Sequence, residues 1–111
     1  MSDIVQVTGI RELNDQFRRS LCGGMLVMTA GVIALGHDHQ RKILEALAAF
    51  DSFDEGNDPY GEHDFGALEV EGERLYWKID YFDRSLSARS SDPADPSVTT
   101  RVLTVMLAEE Y

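Results

Sequence analysis

The first half of the chain carries two patterns of apolar residues at helical spacing. In the first pattern, Thr8 is a candidate N-cap and Gly23 follows the last turn. The apolar face between them is formed by Ile10, Leu13, Phe17 and Leu21. In the second pattern, Asp38 is the candidate N-cap, and the core-facing stripe is formed by Ile43, Leu44, Leu47 and Phe50. Both segments therefore predict amphipathic helices.

The segment between these helices is almost entirely apolar. Residues 25–29 are bounded by glycines and predict a short buried strand. Residues 31–35 fit either a continuation of that strand or the start of the next helix, because so short a run has no readable period. The whole apolar run from 25 to 35 has eleven residues, well short of the roughly 20 that cross a bilayer.

Residues 66–83 predict a β-hairpin. Leu68 and Val70 alternate with acidic residues, which is the period-two pattern of a half-buried strand. Gly72 supplies the turn. The apolar face of the second strand is formed by Leu75, Trp77, Ile79 and Tyr81.

The C-terminal segment supports two interpretations. Asp95 followed by Pro96 has the form of an N-cap with proline at the first helical position. Helical spacing continues at Val98, Val102 and Met106, which predicts a helix to about residue 110. The β-branched residues between 97 and 107 also favour a strand, so both interpretations stay open. Together these patterns predict one α+β domain over residues 1–111, with a small antiparallel β-sheet packed against about three helices.

Charge adds information about partners. The chain has twenty acidic and ten basic residues, a formal net charge of −10. Such a surface repels DNA, RNA and anionic membranes, so we expect no direct nucleic-acid or membrane binding. The short apolar run and the single cysteine favour a cytoplasmic location. Cys22 is the only cysteine, which excludes an intrachain disulfide. We expect it to be a small buried apolar residue.

The negative charge is concentrated in one segment. Residues 1–50 have five acidic and five basic side chains, whereas residues 51–73 have nine carboxylates and no lysine or arginine. On one strand, Glu69, Glu71 and Glu73 would share a face at intervals of about 6.5–7 Å. This concentration predicts either a solvated face that maintains solubility or a surface that binds a basic partner. The candidate partner-binding residues are Asp54, Glu55, Asp58, Glu62, Asp64, Glu69, Glu71 and Glu73.

The same segment is a weak candidate for a cation site. An EF-hand loop beginning at Asp51 would place Phe53 and Pro59 where ligand positions are needed, so that motif does not fit. A non-standard Ca²⁺ or Mg²⁺ site remains an alternative, and its candidate ligands are Asp54, Asp58, Glu62 and Asp64.

His63 is the candidate for acid–base chemistry. It lies between Glu62 and Asp64 in a glycine-flanked segment, and a neighbouring carboxylate orients the imidazole of many general bases. No serine or cysteine nucleophile occurs in a recognisable motif with it. If the protein is an enzyme, His63 and Asp64 are the expected catalytic residues; otherwise His63 serves as a hydrogen-bonding residue of the loop.

Four segments together resemble a small bacterial family catalogued only as a domain of unknown function. The most specific is 57–66, Asn-Asp-Pro-Tyr-Gly-Glu-His-Asp-Phe-Gly, and the others are 10–15, 77–81 and 100–104. The resemblance covers about residues 10–111 and implies no reaction, cofactor or catalytic residue. Such families often lie on plasmids, phages and other mobile elements beside anti-restriction genes, which implies a role in evading host defence.

These observations favour a non-enzymatic protein-binding module that needs no cofactor. Its expected partner is a basic or nucleic-acid-binding protein. The most specific version of this hypothesis is a nucleic-acid mimic that inhibits a host defence complex. The alternative is a small hydrolase, metal-dependent or His-based, centred on residues 57–66. Tyr76 and Phe82 lie opposite Trp77 on their strand and form a candidate homodimer patch if helices cover only one face.

Overall fold

The computed structural model describes the backbone of residues 2–111 and the side chains from residue 9 onward. Within residues 2–111, three helices and four strands alternate with loops. The helices are α1 (Ser2–Ser20), α2 (Ala30–Ile33) and α3 (His37–Ala48), and a 3₁₀ turn spans Ala108–Glu110. The strands are β1 (Gly24–Met28), β2 (Phe65–Val70), β3 (Glu73–Phe82) and β4 (Thr100–Leu107).

The strands form one sheet in the order β1-β4-β3-β2. β2 pairs with β3 and β3 pairs with β4 in antiparallel fashion, whereas β1 pairs with β4 in parallel. The α+β class is therefore confirmed, but the sheet is mixed rather than wholly antiparallel. The parallel pair joins strands that lie far apart in the sequence, a pairing that no local pattern reveals.

The predicted hairpin is confirmed as β2 and β3. Val70 pairs with Glu73 across a two-residue turn of Glu71 and Gly72. Both turn residues have positive φ, 52° and 83°, as a type I′ turn requires. The right-handed twist of the two strands favours this turn, and glycine adopts its second position without strain.

The predicted C-terminal helix is wrong, because most of that segment forms strand β4. This strand lies between β1 and β3, and alternate residues Leu103 and Val105 are fully buried. The pattern misled because Val102 and Met106 are four residues apart. A spacing of four fits one face of a helix and also one face of a strand, so the β-branched composition was the better guide.

The helix boundaries also differ from the prediction. Helix α1 begins at Ser2, so Thr8 lies within the helix and is not its N-cap; its side chain lies outside the described residues. Residues 31–33 belong to helix α2 and residues 34–35 to the turn that follows it, so strand β1 does not continue through this segment. Helix α3 begins at His37, after Gly36 with φ 94°. Asp38 lies in the first turn, where it accepts a hydrogen bond from Arg41 at 2.7 Å.

The helices pack against one face of the sheet. The buried cluster combines helix residues with Val70 of β2 and with odd-numbered residues of β3 and β4: Phe17, Val32, Ile43, Leu47, Val70, Leu75, Trp77, Ile79, Leu103 and Val105. Tyr76 and Phe82 lie on the other face and are half-buried, so the homodimer patch stays a prediction. Within residues 2–111, no helix is both long and apolar enough to span a bilayer.

Candidate functional site

His63 lies where the acidic loop 51–64 meets helix α1. Its Nδ1 lies 2.9 Å from a carboxylate oxygen of Asp15, and its Nε2 lies 3.7 Å from one of Asp58. The imidazole stacks flat on Phe53, with ring centroids 3.7 Å apart. His63 adopts φ 56°, a left-handed conformation that costs free energy for a non-glycine residue. The surrounding contacts therefore hold a strained residue in place.

Asp15 connects this histidine to a buried arginine. Arg18 is 1% exposed and donates to Asp15 at 2.8 Å. Its other donors reach the main-chain carbonyls of Leu47 and Phe50, both at 3.1 Å, and so bind helix α1 to the end of α3. Burial raises the pKa of Asp15, but the hydrogen bonds from Arg18 and His63 outweigh it and the pKa lies below its ordinary value. Asp15 is therefore ionised at neutral pH.

Asn14, which is fully buried, is the centre of a second set of hydrogen bonds. Its amide donates to the main-chain carbonyl of Glu62 at 3.0 Å and to the hydroxyl of Tyr81 at 2.8 Å. Its carbonyl accepts from Arg101 Nε at 2.8 Å. The Tyr81 hydroxyl in turn donates to the Glu62 carboxylate at 2.9 Å, and burial raises the pKa of Tyr81. Asn14 thus joins α1 to the loop, β3 and β4.

Sequence reasoning missed Asn14, Asp15, Arg18 and Arg101. The available signal was a polar pair inside an apolar stripe. Asn14 and Arg18 are four residues apart, directly after Leu13 and Phe17, so they border the core-facing side of the helix. Polar side chains at such positions are buried and need specific partners.

Three of the predicted acidic residues come together beside His63. Asp58 is 8% exposed and accepts the main-chain N–H of His63 at 3.1 Å. Burial and the negative charges of Glu62, Asp58 and Asp80 together raise the pKa of Asp64. Within the part of the chain that the structure describes, no lysine or arginine forms an ion pair with Asp58, Glu62 or Asp64. The cluster therefore stores unfavourable like-charge repulsion.

The other loop carboxylates have different environments. Asp54 Oδ1 accepts the main-chain N–H groups of Gly56 and Asn57 at 2.9 and 3.0 Å, and so shapes the local turn. Glu55 is exposed and has no described hydrogen-bond partner. Asp54 and Glu55 therefore present negative charge to solvent in the part of the loop that precedes Asp58, Glu62 and Asp64.

The predicted row of hairpin glutamates is wrong. Glu69 lies on β2 and Glu73 on β3, on opposite faces of the sheet, because Val70 rather than Glu69 pairs with Glu73. Glu71 is in the turn and accepts from Lys42 Nζ at 2.5 Å. The chain turns at Gly72, between Glu71 and Glu73, so the three side chains do not follow one another along a single strand.

The candidate metal ligands do not assemble either. Among the side chains from residue 9 onward, no three His, Cys, Asp or Glu side chains are arranged to hold a metal ion. Asp54 is engaged with main-chain N–H groups. Asp58 faces His63. The carboxylates of Glu62 and Asp64 stay near each other without completing a ligand set.

The surroundings of His63 favour a structural role over acid–base catalysis. A general base needs one imidazole nitrogen directed at a substrate or nucleophile. Here both nitrogens face carboxylates, Asp15 on one side and Asp58 on the other. The Phe53 ring covers one side of the imidazole. The arrangement chiefly holds the loop against helix α1.

Comparison with protein families identifies the chain. A family profile described as "Protein of unknown function (DUF3768)" matches residues 28–110. That span covers most of the chain, so the protein belongs to this family, and the resemblance to a domain of unknown function is confirmed. The match includes His63 and Arg101 but not the helix α1 residues that contact them. Neither the curated proteins nor the solved structures gave a significant match.

Proposed function

We propose that this DUF3768 family member is a non-enzymatic binding module whose loop 51–64 docks a basic protein. The observation that carries the proposal is the half-buried Asp64, which lies among like charges. Burial and the carboxylates of Glu62, Asp58 and Asp80 raise its pKa. The folded chain tolerates an arrangement that costs it stability. A cationic side chain from a partner would offset that cost.

The exposed carboxylates extend this surface beyond Asp64. Glu55 and Asp54 are exposed and carry no ion pair with the described basic residues. The acidic residues of α3, by contrast, are already compensated by the pairs that Arg41 makes with Asp38 and Glu45. Loop 51–64 instead carries six carboxylates with no lysine or arginine partner among the described residues, a concentration of charge that suits an electrostatic docking surface.

A nucleic-acid-handling protein is the partner class that we favour. Such proteins present lysine and arginine clusters that bind phosphates, and carboxylates can occupy the same cationic sites. The loop supplies these carboxylates, since the hairpin glutamates form no row. The link with mobile elements that the family resemblance implies suggests a defence complex as the target, which stays part of the proposal.

A pull-down at two salt concentrations tests the proposal. Tagged full-length protein is incubated with nuclease-treated host lysate, alongside the double variant Glu55→Gln/Asp64→Asn. The control is Glu12→Gln/Glu109→Gln, which removes the same charge from two exposed glutamates elsewhere. We expect native protein and control to capture the same nucleic-acid-handling protein, released by salt, and the loop variant to lose it. Equal capture by both variants would reject the loop as the docking surface.

The single variant Asp64→Asn distinguishes a role of this residue in partner binding from a role in stabilising the fold. Because the pKa of Asp64 is raised in the folded chain, its ionised form opposes folding above its ordinary pKa. Replacing it with a neutral isostere should leave the melting temperature unchanged or higher while partner binding weakens. A lowered melting temperature would show instead that Asp64 serves the fold.

A further inference from the structure

The chain buries two arginines in different ways. Arg18 is 1% exposed and Arg101 is 3% exposed. Arg18 has a carboxylate partner, Asp15, at 2.8 Å. Among the described residues, Arg101 forms no ion pair, and its acceptors are the neutral carbonyls of Asn14 and Pro93. Its guanidinium also lies 5.2 Å from the centre of the Tyr81 ring.

A buried cation without an anionic partner is costly to a folded protein. Neutral acceptors and an aromatic ring recover only part of the lost hydration. Glu62 attracts Arg101 at longer range, but its carboxylate accepts the Tyr81 hydroxyl. The missing counter-charge is therefore a specific property of Arg101.

Arg101 lies in the wall of a groove. The groove has a volume of about 420 Å³ and lies where the end of α1 meets the first residues of β1 and β4. It holds a second cationic side chain, Arg84, which is exposed and whose hydrogen bonding to the described residues is limited to a long contact of 3.5 Å with the main-chain carbonyl of Ser97. Gln16 and Thr100 add polar groups to the lining. The volume lies within the range of small-molecule sites, about 300–1,000 Å³.

The charge of this groove opposes that of the whole chain. The protein has twenty acidic residues, yet among the side chains that the structure describes, no acidic one lines the groove. Cys22, which the sequence predicts to be buried, is exposed there. A surface that is acidic elsewhere repels anions, so retention of an anion here depends on the two arginines.

We propose that this groove binds a small molecule through a phosphate or carboxylate group, with Arg101 and Arg84 as its ligands. Both anions accept paired hydrogen bonds from a guanidinium, which is planar and always charged. Asn14 and Pro93 fix the Arg101 guanidinium in advance, so little side-chain freedom is lost on binding. The proposal is independent of the acidic docking surface.

NMR titration of the full-length protein with inorganic phosphate and, separately, with acetate tests this site. Ionic strength is held constant with sodium chloride, so that general screening does not change. We expect saturable shifts of the amide signals of residues 22–24 and 99–101. Saturation by phosphate alone assigns phosphate chemistry, and saturation by acetate alone assigns carboxylate chemistry. No saturable shift with either anion would overturn the proposal.

Two arginine variants complete the test. Arg84→Gln removes the exposed cation and should weaken binding about tenfold or more, as expected for losing a charge-assisted hydrogen bond. Arg74→Gln makes the same charge change on an exposed residue at the hairpin end of β3 and should bind within about twofold of the native protein. Equal weakening by both variants would show that net charge, not the groove, controls binding. Neither variant removes a buried contact, so both should fold.

Discussion

Replacing Asn14 with alanine tests whether the buried hydrogen bonds hold the acidic loop to the core. Asn14 is fully buried and makes three hydrogen bonds, to Arg101 Nε, Tyr81 Oη and the carbonyl of Glu62. Alanine leaves these three groups without their partner. An unsatisfied buried group costs about 1–3 kcal/mol, and a charged donor such as Arg101 is at the upper end.

The expected loss in the free energy of unfolding is the sum of the costs for the three groups that bond to Asn14. Arg101 retains its contact with Pro93, and Tyr81 still donates to Glu62, so neither group is fully orphaned. We therefore expect a cost near 1.5 kcal/mol for Arg101 and about 1 kcal/mol for each neutral partner. The better helix propensity of alanine returns about 0.5 kcal/mol. The net destabilisation is about 3 kcal/mol, which for a domain of this size lowers the melting temperature by roughly 12 °C.

Urea denaturation followed by Trp77 fluorescence measures this change, since Trp77 is fully buried in the core. The control is Gln16→Ala, which truncates an exposed amide two residues further along the same helix and should change stability by no more than about 0.5 kcal/mol. A loss below about 1 kcal/mol for Asn14→Ala, or an equal loss in the control, would refute the reasoning.

Two further predictions concern the ion pairs and strand β4. Because Arg18 and His63 lower the pKa of Asp15, its stabilising effect is complete above its ordinary pKa and is lost as the pH falls below about 4. Acid titration of unfolding should therefore show a steeper loss for native protein than for Asp15→Asn. In β4, Leu103→Ala should cost about 2–5 kcal/mol and Val102→Ala clearly less, because only Leu103 is fully buried. Similar costs by denaturation would argue against strand alternation.

Local patterns predicted much of the fold because several elements follow from short-range periodicity. In strand β3, the apolar residues Leu75, Trp77 and Ile79 occupy every second position, so the hairpin was predictable. Strand β4 was not, since Val102 and Met106 fit two periods equally well. Its parallel pairing with β1 is a long-range contact that composition and period do not encode.

The candidate site was likewise predictable only in part. The sequence located the acidic loop and His63, because glycines and carboxylates mark that segment directly. It did not identify Asn14 or Asp15 as neighbours of the loop, since they lie on α1 and meet it only in the folded chain. It also placed Cys22 in the core, although the residue follows the last turn of α1 and is exposed.

Calorimetric titration with an arginine-rich peptide, at low and high salt, tests the central claim most directly. The peptide is a defined basic probe, and native protein is compared with Asp64→Asn. We predict binding that weakens steeply with salt and is weaker still for the variant, whose melting temperature is equal to or above that of native protein. Binding that is insensitive to salt, or unchanged by Asp64→Asn, would contradict a docking role for the acidic loop.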